Sequence, residues 1–263
     1  MSYADGWAAV NLRMPGRVPR VEFGAESHWP LVRAVTGLAV DTASPPEERA
    51  RASQAFARAW NYDIRLTCLI GHAELDARRT NMGHGIYEAD GSDYDAAVCC
   101  PFSDVEQVYA MDPWATYGAK DHGELVRRFD ADYRAQRAAY PEAVAMTGTY
   151  VTLFSGLISM FGWEMMLLAG GLDPDRLGAV AGRYARWMQQ YYDALADSET
   201  PVIYCHDDIV WTRGAVLRPA WYRQYIFPRY AEFWAPLLAR GKKVIFVSDG
   251  DYTEFVDDIA AAG

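Results

Sequence analysis

Residues 201–263 read PVIYCHDDIVWTRGAVLRPAWYRQYIFPRYAEFWAPLLARGKKVIFVSDGDYTEFVDDIAAAG. Two short apolar runs stand out, Pro201 to Cys205 and Lys243 to Val247, each ending in an acidic cluster. The first cluster is His206, Asp207 and Asp208, and the second is Ser248, Asp249, Gly250 and Asp251. A helical stretch of about twenty residues beginning near Pro219 lies between them. Apolar run, helix, apolar run is a βαβ unit with neighbouring parallel strands. Ligands bind at the carboxyl ends of such strands, so both clusters are expected to face one shared site.

Working toward the N-terminus, Ile64 to Ile70 reads as the first buried strand and Ala143 to Thr147 as a short one before a turn at Gly148. Helices are predicted from Pro45-Pro46-Glu47-Glu48 to about Trp60, where proline and acids suit a helix start. Further helices are read over Ser103 to Met111 with Ser103 as cap, Asp121 to Ala139, Thr152 to Leu168, and Asp173 to about Ala196. Residues 1–27 read as irregular, followed by a short helix opening at His28-Trp29-Pro30, and residues 1–45 as a cover over a single domain spanning 1–263. The segment from Gly71 to Pro101 holds turn signals around short apolar pieces and is long for a connection, as functional loops often are. About six strands alternating with helices imply an α/β protein with a parallel sheet.

At 263 residues, 51% hydrophobic and 23% charged, the chain can bury a substantial core. A formal charge of -10 argues against a nucleic-acid surface, which needs a concentrated basic patch. No basic region leads into an apolar N-terminal core, and no segment holds the roughly 18 uninterrupted apolar residues of a membrane span. The expectation is a soluble, cytoplasmic protein. Cys68, Cys99, Cys100 and Cys205 have neither CxxC spacing nor the density of a disulfide scaffold, so they read as reduced thiols.

A histidine with two aspartates at a strand end suits metal coordination, acid/base catalysis or polar-substrate binding. The pleat sends His206 and Asp208 to one side and Asp207 to the other. Capping and loop hydrogen bonds by the aspartates are the structural alternative, and Trp211 can wall a pocket or simply pack. Asp249 is expected to face the site, with Gly250 allowing a tight turn and Asp251 or Ser248 free to cap the following helix. Asn81 and His84, in TNMGH, form a candidate substrate loop beside Arg78 and Arg79.

The order of these features resembles the uroporphyrinogen decarboxylase superfamily. The resemblance is dense from Pro201 to Gly263 and looser from Gly148 to Gly171, in the helix after Asp173, and around Arg17 to Glu22. It implies a TIM (β/α)8 barrel, here short of its last one or two strands, with a truncated C-terminal end and exposed sheet edges that favour homo-oligomers. It also implies one of two chemistries. The decarboxylase binds tetrapyrrole carboxylates through an RQAGRY-type motif; this chain has NLRMPGRVPR instead, with Arg13, Arg17 and Arg20 differently spaced. Zinc-dependent methyltransferases of the family carry His-x-Cys-Gly where this chain has Val247-Ser248-Asp249-Gly250, replacing a soft thiolate by a hard oxygen.

The leading expectation is a methyltransferase moving a methyl group from a small O-, N- or S-methyl donor to a corrinoid protein, thiol or pterin. His206, Asp208 and Asp249 are its expected catalytic residues, with Asp249 and His206 as candidate ligands of a zinc ion. His84, Asn81, Trp211, Ser248 and Tyr252 are expected to line the substrate pocket. Decarboxylation of uroporphyrinogen or another polycarboxylate is the alternative, and a non-catalytic binding protein the second.

Overall fold

A computed structural model describes residues 1–81 and 99–263, with the backbone of 86–87 and 93–94. In chain order the helices are α1 (Tyr3–Val10), α2 (Trp29–Thr36), α3 (Pro46–Ala59), α4 (Val105–Tyr109), α5 (Pro113–Tyr117), α6 (His122–Ala139), α7 (Phe154–Leu172), α8 (Pro174–Asp197), α9 (Pro219–Tyr225), α10 (Phe227–Ala239) and α11 (Val256–Ala262). The strands are β1 (Ile86–Tyr87), β2 (Asp93–Tyr94), β3 (Thr147–Thr149), β4 (Val202–His206), β5 (Val210–Trp211), β6 (Gly214–Ala215) and β7 (Lys243–Val247). The molecule is an α/β protein.

β3, β4 and β7 form a parallel sheet in that order, with Tyr204 paired to Gly148 on one side and to Ile245 on the other. Parallel bridges extend it: Ile64 and Ile70 pair with Val144 and Thr149, and Arg20 pairs with Tyr62. The order across the sheet is therefore the order along the chain. Residues 64–70, read from the sequence as a strand, run beside β3 but pair only through bridges at Ile64 and Ile70 and form no continuous strand. In this stretch the Thr67 hydroxyl donates to the Met146 carbonyl, and the N–H groups of Leu69 and Ile70 share the Gly148 carbonyl. Gly148 lies within β3 rather than in a turn. A Cβ there would meet the Tyr204 carbonyl oxygen at 1.9 Å, so only glycine lets β3 and β4 approach so closely.

The crossover helices pack side by side, α8 touching α6, α7 and α10, while α6 lies on β3 and α10 on β7. Toward them the strands send Ile203, Cys205, Val244 and Phe246. The opposite face presents Val202, Tyr204, Ile245 and Val247, with Tyr3, Trp7 and Val10 of α1 packed against it. α8 is the central helix: Leu177, Val180, Ala181, Tyr184, Met188, Tyr191, Tyr192 and Leu195 are buried at three- and four-residue spacing. α7 is the described helix long and apolar enough to cross a membrane, and more than half of it is buried in the core.

Several local readings differ from the structure. Residues 3–10 are helical because Ser2 caps them and Gly6 fits against the Asp63 carbonyl, where a Cβ would come within 2.4 Å. Asp104, not Ser103, caps α4; Ser103 instead exchanges hydrogen bonds with the Gln107 side chain. The helix after Pro219 is two helices, broken at Ile226 because Pro228 supplies no N–H to continue the first. α7 is kinked at Gly162, whose φ of 75° is left-handed.

Candidate active site

The residues just past the carboxyl ends of the parallel strands surround one cleft of about 500 Å3. His72 follows the 64–70 segment, Tyr150 follows β3, His206 ends β4 with Asp208 beyond it, and Asp249 and Gly250 follow β7. Ser155, Ile158, Ser159 and Trp163 of α7 form one wall, and Val210, Trp211 and Thr212 of the β5–β6 hairpin another.

Three consecutive residues at the end of β4 divide the work. Asp207 points toward the helices, is fully buried, and accepts hydrogen bonds from the N–H groups of Leu153, Phe154 and Ser155. Its other donor is the Tyr230 hydroxyl. α7 has no cap of its own, so a carboxylate from the neighbouring strand satisfies its free N–H groups and meets its positive end. Burial pushes the Asp207 pKa up, and the four donated hydrogen bonds offset part of that shift.

His206 and Asp208 turn to the other side. The His206 Nδ1 lies 2.8 Å from the Tyr150 carbonyl oxygen, which can only accept, so Nδ1 carries a hydrogen. Its Nε2 lies 3.3 Å from Asp208 Oδ1. At that separation a protonated His206 would pair with the Asp208 carboxylate. Asp208 Oδ1 also accepts the Asp249 N–H at 2.8 Å, and the Asp208 N–H donates to Ser155 Oγ at 2.7 Å. The Tyr150 ring stacks on His206 at 4.0 Å and 3°, which fixes the plane of the imidazole. Phe23, from the N-terminal cover, stacks over Tyr150 and Tyr204 at 6.5 and 6.1 Å.

Asp249 is exposed and lines the cleft. Gly250 beside it has φ of 82°, and a Cβ there would sit 2.5 Å from the Trp211 carbonyl oxygen. Glycine thus lets the β7 turn clamp the β5–β6 hairpin. Ser248 ties the same loops together, accepting the Ile209 N–H and donating to the Asp249 carbonyl, and it is not among the cleft residues. Asp251 caps the turn at Thr253 and its pKa is lowered by the hydroxyl and N–H of that residue.

Of the other sequence candidates, Trp211 lines the cleft, whereas Tyr252 packs into the core with its ring edge-on to Phe246. Asn81 holds the two ends of the following segment together, its Oδ1 and N–H meeting Cys99. His84 lies outside the described residues. Arg78 stacks over Phe102 at 4.0 Å and Arg79 pairs with Asp76, away from the cleft.

Sequence reasoning missed His72, Tyr150, Ser159 and Trp163. His72 Nδ1 lies 3.0 Å from Ser159 Oγ, and its ring meets the edge of Tyr150. The short helix that carries it is anchored by Glu74, which accepts from Arg128 at 2.9 Å and from the Tyr191 hydroxyl at 2.7 Å, with Lys120 3.3 Å away. Burial raises the Glu74 pKa, but these hydrogen bonds and cations outweigh it and the net shift is downward. The one legible signal for His72 was its place two residues past an apolar run.

Among the described residues the cleft wall has two histidines, two aspartates and several aromatics but no lysine or arginine. The described residues contain no cluster of three metal-ligating side chains. No family model matches the chain, and no curated protein matches it.

Proposed function

We propose that this chain is a methyltransferase on a uroporphyrinogen-decarboxylase-like (β/α)8 barrel. Support for the barrel comes from the winding. Strands in strict chain order with adjacent crossovers on one face are the winding of a barrel, whereas a doubly wound sheet reverses its order and places helices on both faces.

The observation that carries the chemical reading is the His206–Asp208 pair, 3.3 Å apart, on the wall of a cleft whose described residues include no lysine or arginine. In methyl transfer the acceptor's electron pair forms the new bond to the methyl carbon. The carbon–heteroatom bond breaks with its pair left on the heteroatom, and His206, positioned by Asp208, would act as the general acid that protonates that leaving atom. The acceptor would be a corrinoid carried by a partner protein, a thiol or a pterin. A polycarboxylate fits less well, because its charges would meet Asp208 and Asp249 with no lysine or arginine in the described wall to offset them.

A zinc ion would take His206 Nε2 and an Asp249 oxygen as two of its ligands. Asp208 lies beside them, but among the described residues no three such side chains are arranged to hold a metal ion, so the residues present do not make a zinc site.

The test supplies ¹³C-methyl donors, namely methanol, methylamine, dimethyl sulfide and methoxybenzene, with cob(I)alamin kept reduced, and follows methylcobalamin. At least one donor is expected to react, and His206→Gln and Asp208→Asn are expected to slow it by about 100-fold. Release of carbon dioxide from uroporphyrinogen without methyl transfer would replace this reading with decarboxylation.

A further inference from the structure

Beside the His206 cleft lies a larger concavity of about 780 Å3. Its wall is mainly apolar, formed by Trp163, Leu167, Trp211, Val216 and Pro219, with the exposed Arg213 and Glu254 also touching it. The two cavities share Trp163 and Trp211, whose rings meet edge to face at 5.3 Å and 84°. They are therefore two compartments on either side of one indole pair.

Trp211 is 59% exposed, an unusual place for the largest apolar side chain, which gains stability by burial. Its backbone is nevertheless tightly held. It pairs with Gly214 in the β5–β6 hairpin, and the left-handed Gly250 packs against its carbonyl oxygen. Clamping the backbone while leaving the indole in solvent does nothing for the core, but it presents a rigid aromatic face to a ligand at little entropic cost. The volume and the apolar wall with few polar groups match small-molecule sites.

We infer that this groove is a subsite for the flat, ring-bearing body of an extended ligand whose polar end lies in the His206 cleft. This rests on reading that cleft as the reacting site. Its occupant is a small molecule rather than a macromolecule because the groove is concave and runs into the cleft through the shared tryptophans. A substrate of one or two heavy atoms would leave the larger compartment unused.

The probe is 2-naphthol, a two-ring body with one hydrogen-bonding end, titrated by saturation-transfer NMR and calorimetry. Saturable binding to the wild-type protein is expected. Trp211→Ala and Leu167→Asp should each weaken it by about tenfold or more, and Trp211→Phe should restore most of it. Trp211 and Leu167 are both exposed, so thermal unfolding should show these variants folded. Met14→Ala, which removes an exposed apolar side chain on the N-terminal cover outside both cavities, should leave binding unchanged. No saturable binding, binding as tight in both groove variants as in the wild type, or an equal loss in Met14→Ala would overturn the inference. Self-association abolished by Trp211→Ala, without naphthol binding, would overturn it in favour of a second copy of the chain. Binding is read without turnover, so it can succeed where the methyl donors fail, and the reverse.

Discussion

The two ends of the parallel sheet use charge in opposite ways. At the amino end Asp63 is fully buried and accepts from the N–H groups of Ser2 and Arg20 and from Arg17 Nη2. Arg65 pairs with Glu26 at 2.8 Å and lies over the Tyr140 ring, and Arg20 lies over Trp60. There Arg17, Arg20 and Arg65 fasten the N-terminal cover to the sheet. At the carboxyl end His206, Asp208 and Asp249 converge on an open cleft. A parallel sheet makes its ends inequivalent, because every strand-to-helix loop emerges at the same one. Even at the carboxyl end the acids divide, Asp207 turning inward as the cap of α7 while Asp208 and Asp249 face the cleft.

The sharpest way to break this contrast is to remove two acids that fasten the structure and one that faces the cleft. Asp63→Ala leaves the N–H groups of Ser2 and Arg20 and the partly exposed Arg17 guanidinium without their shared acceptor, and Asp207→Ala leaves the start of α7 uncapped. Each is expected to cost about 3 kcal/mol in urea unfolding. Asp208→Asn, in the cleft, should cost less than about 1 kcal/mol while acting on turnover. Equal destabilisation by all three would dissolve the distinction between fastening and facing.

A smaller effect is expected at the loop that joins the two compartments. Gly250→Ala meets both an unfavourable left-handed backbone and the Trp211 carbonyl, and should destabilise by about 1–2 kcal/mol. Because the hairpin must then shift, 2-naphthol affinity should fall along with stability.

The least effect concerns pH. The carboxyl of Glu74, which anchors the helix bearing His72, is held below the ordinary glutamate value of 4.5. Its contribution is complete above that value and is lost as pH falls through the lower folded-state value. Acid unfolding followed by circular dichroism should show a steeper loss of stability below pH 4.5 in the wild type than in Glu74→Gln. Parallel curves would mean that the network around Glu74 contributes no net stabilisation.

How much of this was legible varies with distance along the chain. The β4–helix–β7 unit was readable because apolar runs, a proline helix start and the acidic strand ends all lie within some sixty residues. The pleat alone separated Asp207 from His206 and Asp208, and the structure has the same division. The role of Asp207 was not readable, because the N–H groups it caps belong to a helix more than fifty residues earlier. The breaks at Ile226 and within 64–70 come from a single proline and a single threonine hydroxyl, which periodicity overlooks.

The sequence by itself determined the α/β class, the parallel pair with its acidic ends and the glycine turn after β7, since each depends on local spacing and backbone sterics. Only the tertiary structure decided that His72, Tyr150 and Trp163 stand around His206, that Tyr252 does not, and that the amino-end arginines fasten the N-terminal cover. Those outcomes depend on which distant strand ends and helix faces meet, and contacts between residues fifty or more positions apart leave no periodic trace in the chain.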